Sequence, residues 1–370
     1  MKDEPAKQAK PKIFVLIDGK SLFYRGYYAM PHLSTADGRP TGGVYGFASL
    51  ALELVRQLRP DYVAVAWDKA KTNIRRRRAI YPEYKANRHP APPDFYQQIP
   101  ILRQLLEALG WPFYEVDDYE ADDIIGTLSK QANRAGIHTV IASSDLDMLQ
   151  LIDDDTEVYA LKKGLSSIDR FDVKAFQAKY GIRVDQFLDL KSLKGDSSDN
   201  IPGVPGVGEK TAVALLQKYH DLDGVYAHLD EITGAAQRRL ADGKASAYMS
   251  RELVQIQCDA PIPLDLQATD VSKLDRQGAP LRVIRHMMET QDDFPALLQK
   301  CEAFLDEFER QVNREYSSMM ARINRAIMRS VVFLVITKFL IGIAIEVPYD
   351  LWAHGQIERL VLMLNLFLPP

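Results

Sequence analysis

Acidic side chains stand at three points of this chain where a short apolar run stops. Asp18 follows IFVLI, Asp68 follows YVAVAW, and Asp145 and Asp147 follow HTVIASS. One aspartate after an apolar run is usually a turn former or a helix cap. Three runs that end alike favour carboxylates that converge, and carboxylates without histidine or cysteine suit Mg²⁺ or Mn²⁺. Two such ions about 4 Å apart are used for phosphoryl chemistry.

The stretch DDYEADD, residues 117 to 123, is more acidic still, with five acids in seven positions. These side chains repel one another, and burying any of them without a partner is costly. Either the stretch is a solvated turn that caps the helical pattern IIGTLSKQA, or positive groups lie beside it. That helix would begin at the sheet edge that carries the strand-end aspartates, so Glu120, Asp122 and Asp123 join the candidate metal ligands.

The elements that must position these carboxylates are strands that alternate with helices. The apolar runs before Asp18, Asp68 and Asp145 indicate buried strands, and YGFASLALELVRQL between the first two is helical in pattern. This alternation predicts an α/β fold with a parallel, doubly wound sheet. Ligands of such sheets bind beyond the carboxyl ends of the strands, where the aspartates would lie.

Composition sets only loose limits. The chain has 370 residues, a formal net charge of −4 and 46% hydrophobic residues, which suits two or three globular domains. Its two cysteines, Cys258 and Cys301, form no metal-type pair. The polar N-terminus, MKDEPAKQAKPK, lacks the apolar core of a secretion signal, so a reducing cytoplasm is the expected compartment.

A basic segment follows Asp68. Residues 69 to 89 contain eight lysines and arginines and one acid, Glu83, with Tyr81 and Tyr84 among them. A basic run is usually only a solvated surface. This one leaves the same sheet edge as the carboxylates, and basic and aromatic side chains together bind phosphates and unpaired bases. We therefore expect a mobile basic segment that draws a polyanion towards bound cations.

A second acidic motif precedes a glycine-rich turn in the string GDSSDNIPGVPGVGEKTA. Asp196 and Asp199 are three residues apart and would face the same way on one helical turn. The glycines resemble a phosphate-binding P-loop, but Glu209 stands where that motif needs lysine. The better interpretation is a helix–hairpin–helix turn that holds a nucleic-acid phosphate at a helix N-terminus. A plain interhelical turn is the alternative.

Several long motifs together resemble the 5′-nuclease domain of bacterial DNA polymerase I, which belongs to the flap endonuclease family. In chain order they are LIDGKSLFYRGYYAMP, GGVYGFA, YPEYKANR, YEADD and GDSSDNIPGVPGVGEKTA. The resemblance runs from about residue 12 to about residue 275, and weakly to about 305. It implies a PIN-like parallel sheet flanked by helices, with a helical arch and a helix–hairpin–helix subdomain.

The resemblance also implies two metal sites that hold two Mg²⁺ or Mn²⁺ ions. By motif, the first site would draw on Asp18, Asp68, Glu120, Asp122 and Asp123, and the second on Asp145, Asp147, Asp196 and Asp199. The catalytic basic residues would be Lys85, Arg77 and Arg25. Leu146 departs from the family, because many relatives carry lysine there.

Further positions would contact DNA. The resemblance and the basic segment together indicate Tyr84, Arg75, Arg76, Arg78, Arg88, Gly203, Gly206, Gly208, Lys210 and Thr211. A K⁺ ion at the glycine-rich turn is a further expectation of the resemblance.

The function implied is a structure-specific 5′-3′ exonuclease or 5′-flap endonuclease that hydrolyses DNA phosphodiesters in replication and repair. DNA with 5′ ends or flaps would be the substrate, and a separate DNA polymerase and a ligase would be the partners. The protein would be located in the cytoplasm near the nucleoid. The chain would act without a polymerase domain. Two alternatives stay open: an RNA-cleaving PIN-type nuclease, and a non-catalytic DNA-binding module that recruits a separate polymerase.

The expected segments are a disordered N-terminus (1–11), a nuclease core (12–180) with a basic arch at 69–95, a helix–hairpin–helix subdomain (181–275), a helical extension (276–312) and an apolar tail of unknown role (313–370). Within the tail, residues 331 to 347 form an apolar run of 17 residues, at the lower limit for a membrane helix. A buried helical hairpin or a chain–chain interface explains this run as well, and membrane contact is the less favoured prediction.

Overall fold

The computed structural model describes residues 11–35, 38–162 and 168–271, together with positions 306–308, 310, 311, 314 and 317. The chain divides into two compact units, residues 1–277 and 278–370. Three predicted segments lie mostly outside the described residues. They are the disordered N-terminus (all but residue 11), most of the helical extension and nearly all of the apolar tail. No helix within the described ranges is long and apolar enough to cross a membrane. The run 331–347 falls outside those ranges.

A six-stranded sheet forms the centre of the first unit, in the order β3-β2-β1-β4-β5-β6. Its neighbouring strands are parallel, except that β6 runs antiparallel to β5. β2 is buried along its whole length, as in sheets covered by helices on both faces. The strands are β1 (Ile13–Asp18), β2 (Tyr62–Ala66), β3 (Phe113–Tyr114), β4 (His138–Ser143), β5 (Thr156–Leu161) and β6 (Ile168–Phe171). The prediction of an α/β fold with a parallel sheet is confirmed.

Helices connect the first strands, and a largely helical region follows β6. They are α1 (Gly19–Ala29), α2 (Gly42–Leu58), α3 (Arg75–Ile80), α4 (Pro93–Ala108), α5 (Ala121–Arg134), α6 (Val173–Tyr180), α7 (Phe187–Lys194), α8 (Glu209–Tyr219), α9 (Leu222–Ala227), α10 (Ala235–Asp242), α11 (Lys244–Val254) and α12 (Leu266–Thr269). The basic segment predicted as an arch contains α3 and leads into α4.

Three neighbouring strands bring the strand-end aspartates to one edge of the sheet. β1 lies between β2 and β4, and all three are parallel. Asp18 is the last residue of β1, and Asp68 and Asp145 each follow their strand by two residues. Asp18 also caps α1 by accepting a hydrogen bond of 3.0 Å from the Ser21 N–H. Asp68 accepts a hydrogen bond of 2.9 Å from the Ala121 N–H, which fixes the start of α5 at the same edge.

The helix that begins at Asp18 packs closely on α2 through two glycines. A Cβ added to Gly46 would lie 2.1 Å from the Cα of Gly26 in α1, and a Cβ on Gly26 would lie 2.7 Å from the Cα of Gly46. These distances are too short for any side chain, so both glycines are required by the close approach of the two backbones.

We expect Gly46→Ala to lower the free energy of unfolding by about 1–3 kcal/mol, since the backbone of α1 has to shift to admit the methyl group. Urea denaturation followed by circular dichroism measures this change. Ser49→Ala, on the same helix, is the matched control and should stay within about 0.5 kcal/mol of the parent. Equal midpoints for Gly46→Ala and the parent would contradict the close contact.

Candidate active site

Asp18 is a buried carboxylate at the centre of the sheet edge. It accepts hydrogen bonds from the Ser143 hydroxyl, at 2.6 Å, and from the Ser21 N–H. Burial raises the pKa of Asp18 to about 6 in spite of these bonds, and the charges of Asp68 and Asp145 act in the same direction. The protein therefore holds this carboxylate in an environment that disfavours its charge.

Asp122 and Asp145 lie close to Asp18. Burial raises the pKa of Asp122 well above its ordinary value, and the charges of Asp145 and Asp18 add to this effect. Asp145 caps the short 3-10 turn after β4 by accepting a hydrogen bond of 2.9 Å from the Asp147 N–H. We refer to Asp18, Asp122 and Asp145 as the central carboxylates. Within the described ranges, none of the three forms an ion pair.

Lysines neutralise the carboxylates around this centre. The Lys20 ammonium lies 3.1 Å from Asp68. The Lys85 ammonium contacts Glu120 and lies 3.5 Å from Asp199. The Lys191 ammonium contacts Asp147 and Asp196. We refer to these five acids as the outer carboxylates. Each lysine comes from a different part of the chain: the start of α1, the basic segment, and α7.

The balance of burial and charge differs among the outer carboxylates. Burial raises the pKa of Asp68, but Lys20 and Lys85 outweigh it and lower that pKa to about 2. For Asp196, burial is likewise outweighed by Lys191 and Ser198, and its pKa falls to about 2. The pKa of Asp147 rises to about 6, because burial and the charge of Asp145 exceed the effect of Lys191.

The acidic run at 117–123 has positive partners within the chain itself. Lys69 pairs with Asp117, Arg75 donates two hydrogen bonds of 2.6 and 3.1 Å to Asp118, Arg77 pairs with Asp123, and Lys85 contacts Glu120. All four cations belong to the basic segment. Of the two interpretations of this run, the structure therefore supports the one with positive groups beside it, and Asp122 remains near Asp18 and Asp145.

Arg77 lies in a buried junction of three chain regions. Its guanidinium donates 2.8 Å hydrogen bonds to both Asp123 oxygens, and further bonds to the carbonyls of Leu253, at 2.9 Å, and Gln255, at 3.0 Å. Asp123 also accepts from the N–H groups of Glu120 and Gln257, so each of its oxygens already has two donors. These contacts give both residues a structural role; the catalytic role of Arg77 and the metal-ligand role of Asp123 stay predictions.

Tyr84 is buried, with 3% of its surface exposed. Its ring packs with Ile201, Leu253 and Val254, and its hydroxyl donates a 2.9 Å hydrogen bond to Glu120. A ring in this position offers no free face to a base, which speaks against Tyr84 as a stacking contact, and its role in DNA binding stays a prediction. The alternation of basic and aromatic residues could not show which side of the segment faces the protein.

The other basic positions are divided between protein contacts and the surface. Arg25 donates a hydrogen bond of 2.7 Å to the Leu161 carbonyl, and it lines a cleft together with Asp18 and Asp145. Arg88 pairs with Asp199. Arg75, Arg76 and Arg78 are exposed; the Arg76 guanidinium lies 4.7 Å from the centre of the Tyr119 ring, and Arg78 donates 3.1 Å to the Tyr84 carbonyl.

Asp196 and Asp199 do not share a helical turn. α7 ends at Lys194, Gly195 follows with φ of +77°, and residues 196–201 form a turn closed by the bridge between Asp196 and Ile201. The prediction that both carboxylates face the same way is therefore wrong. Asp196 contacts Lys191, whereas Asp199 contacts Lys85 and Arg88.

The glycine-rich turn leads directly into α8. Gly208 is its N-cap, and Gly208, Lys210 and Thr211 are exposed. Gly206 has φ of +80°, and its carbonyl accepts 2.9 Å from Arg239. Gly203 is buried, and a Cβ there would lie 2.3 Å from the Gly195 nitrogen, so its role is close packing.

The donor set suits a hard divalent cation in its chemistry. The central and outer carboxylates offer oxygen ligands only, and a cation would offset the burial and the repulsion that raise the pKa of Asp18 and Asp122. Within the part of the chain that the structure describes, no three acidic, histidine or cysteine side chains converge as a ready ligand shell. Lysine contacts hold the outer carboxylates in this arrangement.

Reasoning from the sequence alone missed three residues of the site. Lys20 and Lys191 neutralise outer carboxylates, and Ser143 holds Asp18. The signals available were weak: Lys20 stands two residues after Asp18, and Lys191 five residues before Asp196.

Family models identify the class of protein to which this chain belongs. Residues 13–181 match the family described as 5′-3′ exonuclease, N-terminal resolvase-like domain, and residues 182–277 match 5′-3′ exonuclease, C-terminal SAM fold. The chain belongs to the 5′-3′ exonuclease family.

Curated relatives carry the name DNA polymerase I. The chain is 40% identical over 267 residues to that of Bacillus subtilis, covering 72% of this chain and 30% of the relative. It is 37% identical over 326 residues to that of Bacillus caldotenax, covering 88% of this chain and 36% of the relative. The chain thus spans about a third of the length of these relatives.

Solved structures from bacteriophage T5 share the fold. The T5 5′-exonuclease with bound zinc is 19% identical, with a TM-score of 0.55, covering 78% of this chain and 98% of the T5 chain. A T5 flap endonuclease in a pseudo-enzyme–product complex with DNA and metal ions is 17% identical, with a TM-score of 0.55, covering 82% of this chain and all of the T5 chain (100%).

We expect Arg77→Met to lower the free energy of unfolding by about 3–5 kcal/mol, because it leaves Asp123 buried without its partner. Arg76→Met, on the same helix, is the matched control; it loses an exposed contact with the Tyr119 ring worth about 0.5–1 kcal/mol. Urea denaturation of both variants measures the difference. Similar losses in the two variants would show that the buried junction does not have the role inferred from its contacts.

Proposed function

We propose that this chain is a structure-specific 5′-3′ exonuclease and 5′-flap endonuclease that hydrolyses DNA phosphodiesters at 5′ ends or flaps. The observation that carries the proposal is the group of central carboxylates at the sheet edge of a chain that belongs to the 5′-3′ exonuclease family. Carboxylates such as Asp18 and Asp122, whose pKa is raised by burial and by neighbouring charges, are typical of functional sites.

The metal ligands proposed are the central carboxylates and the outer carboxylates; Asp123 is not among them. Two Mg²⁺ or Mn²⁺ ions bound there would supply Lewis-acid activation of water and stabilisation of negative charge on the reacting phosphate. The T5 structures, which contain bound zinc in one case and metal ions with DNA in the other, support a divalent metal in this fold.

The chain's own cations would hold the phosphate. Lys85 is buried against Glu120, and Arg88 contacts Asp199 beside it, so both cations lie where a phosphate next to the carboxylates could accept hydrogen bonds. Arg25 lines the same cleft. These donors would stabilise charge that develops on the phosphate oxygens as the bond breaks.

The glycine-rich turn would bind the duplex backbone away from the reaction. The free N–H groups at the start of α8, with exposed Lys210 and Thr211 beside Gly208, suit a phosphate group. A K⁺ ion at this turn is part of the proposal. The contact would be independent of base sequence, because phosphates carry no sequence information.

The cellular setting follows from the relatives. Because relatives named DNA polymerase I match this chain over about a third of their length, we propose that it removes 5′ ends or flaps in DNA replication and repair. A DNA polymerase and a ligase would act on the same DNA, and the nucleoid in the cytoplasm would be the location.

We expect Asp145→Asn to reduce cleavage of a 5′-flap duplex in Mg²⁺ by at least about 100-fold, because the variant lacks one charge of the central carboxylates. Affinity for the same DNA should stay within about twofold of the parent's. The matched control is Asp117→Asn, which changes an exposed acid paired with Lys69 and should cleave like the parent.

Labelled flap duplex, unstructured RNA and an EDTA control separate the alternatives. A parent that binds the flap without cutting it would support the non-catalytic binding module. A parent that cuts unstructured RNA as fast as the flap would support the ribonuclease. Full cleavage by Asp145→Asn would remove the central carboxylates from the mechanism.

We expect Lys210→Ala to weaken DNA binding and to reduce the slope of log K against log [salt] by about 1, as for the loss of one phosphate contact. Lys218→Ala, at the other end of α8, is the matched control and should leave the slope unchanged. Fluorescence anisotropy over a series of KCl concentrations measures both. Identical slopes in the parent and Lys210→Ala would place the phosphate contact elsewhere.

A further inference from the structure

Two turns of the chain lie against each other beside the outer carboxylates. One comprises residues 82–87 of the basic segment, and the other comprises residues 196–201. We refer to them as the lysine turn and the aspartate turn, because Lys85 belongs to the first and Asp199 to the second. The side chains that bond across the two turns have partners 110 to 117 positions away in the chain. The contact is therefore a feature of the tertiary structure.

Three hydrogen bonds to backbone carbonyls join the two turns, and we refer to them as the clasp. They run from the Lys85 N–H to the Asp199 carbonyl (2.9 Å), from the Asn200 side-chain amide to the Glu83 carbonyl (2.7 Å) and from the Asn87 side-chain amide to the Ser197 carbonyl (2.7 Å). Two of the donors belong to the lysine turn and one to the aspartate turn. Each turn thus fixes the backbone of the other.

The clasp includes two residues with a left-handed backbone. The angle φ is +54° at Lys85 and +59° at Asn200. Asparagine adopts this conformation more readily than lysine does. An unfavourable backbone conformation persists only where the surrounding contacts fix it. At Lys85 those contacts are its own N–H bond to the aspartate turn and the bond from Asn200 to the carbonyl of Glu83, two residues earlier.

The same contacts determine where the Lys85 ammonium lies. It contacts Glu120 and lies 3.5 Å from the Asp199 carboxylate, and only 11% of the side chain is exposed. Asp199 therefore meets Lys85 twice, with its carbonyl at the backbone and with its carboxylate at the ammonium. A change in the backbone at Lys85 would displace this ammonium. Small displacements of a group that acts on a reacting centre reduce the rate strongly.

We propose that Asn200 is a positioning residue for Lys85, which acts together with Asn87 through the clasp to hold the Lys85 ammonium beside the reacting phosphate. Asn200 carries no charge, and its amide donates to a backbone carbonyl of the lysine turn, so its effect passes through that turn. The inference rests on the proposed function, in which Lys85 stabilises charge on the phosphate. It extends that function by naming the residue that keeps Lys85 in place.

The first test measures the position of Lys85 without any activity. Limiting acetic anhydride in an EDTA buffer, followed by mass spectrometry, gives the acetylation rate of each lysine. We expect Asn200→Gly to raise the rate at Lys85 by at least about fivefold, because glycine keeps the left-handed backbone and only the amide is lost. Lys191, whose side chain is 13% exposed and contacts Asp147 and Asp196, is the internal control and should react as in the parent.

Two further variants complete this test. Asn87→Ala opens the clasp from its other side and should raise the acetylation rate at Lys85 in the same way. Gln217→Ala is the matched control, because it also removes a 2.7 Å bond from a side-chain amide to a carbonyl, that of Gly181 at the end of α6. It should leave the rate at Lys85 unchanged.

Two acetylation results would overturn the positioning role. An unchanged rate at Lys85 in Asn200→Gly would show that the clasp does not hold the ammonium. Equal increases at Lys85 and Lys191 would show that the whole aspartate turn has opened, so that Asn200 serves the fold and not Lys85 in particular.

The second test uses single-turnover cleavage of a 5′-flap duplex in Mg²⁺. We expect Asn200→Gly to lower the rate by about 10- to 100-fold, with the Kd for DNA within about twofold of the parent's. In a Lys85→Ala background the same change should alter the rate by less than about twofold, because the positioned group is absent. Losses that multiply in the double variant would assign Asn200 a role independent of Lys85 and contradict the positioning.

Together the two tests distinguish this inference from the proposed function. A parent that cuts no flap would contradict the nuclease function, whereas the acetylation rates would still decide whether Asn200 holds Lys85. A parent that cuts the flap, with Asn200→Gly equal to it in both acetylation and cleavage, would contradict the positioning role and leave the nuclease function intact.

Discussion

Repulsion among buried carboxylates is the constraint around which this molecule is arranged. Parallel strands β1, β2 and β4 end side by side, so the acids that follow them meet in a region of low dielectric. The fold offsets this with cations from distant parts of the chain. Lys20 at the start of α1, Lys85 from the basic segment and Lys191 from α7 each neutralise a different part of the edge. The negative charge of the central carboxylates remains uncompensated by these lysines. A divalent cation would therefore be attracted most strongly to the centre of the edge.

The same constraint explains the composition of two segments that look unusual by themselves. The basic segment and the acidic run neutralise each other, so a large part of the positive charge after Asp68 serves the protein's own structure. Glu120 belongs to the acidic run and is also an outer carboxylate of the candidate site. Three residues of the basic segment contact it: Arg77, Tyr84 and Lys85. Changes in the segment therefore affect the site through Glu120 as well as through any direct contact with DNA.

The sheet, its parallel order and the edge that carries Asp18, Asp68 and Asp145 could be predicted, because these depend on local apolar runs and on a general rule for parallel strands. The burial of Tyr84 and the pairing of Arg77 with Asp123 could not. Both depend on contacts with residues near 253, far away in the sequence, on which local periodicity carries no information.

A different kind of error arose at Asp196 and Asp199. A spacing of three residues puts side chains on one face only within a helix, and Gly195 ends α7 just before Asp196. The sequence contains that glycine, but a motif of acids near glycines could not show which residue ends the helix.

The hydrogen bond from Arg77 to the Leu253 carbonyl spans 176 positions, so it forms only late in the synthesis of the chain. A ribosome delivers β1, β2 and the acidic run long before α11. Until α7 and residues 253–257 emerge, Asp147 lacks its lysine and the Arg77 junction lacks its carbonyl acceptors. The nascent N-terminal half thus holds an excess of repelling carboxylates, and the final packing of the site waits for the later segment. Contacts so distant in sequence form slowly, because a long loop has to close first. Synthesis order alone therefore keeps this edge incomplete until most of the first unit has left the ribosome.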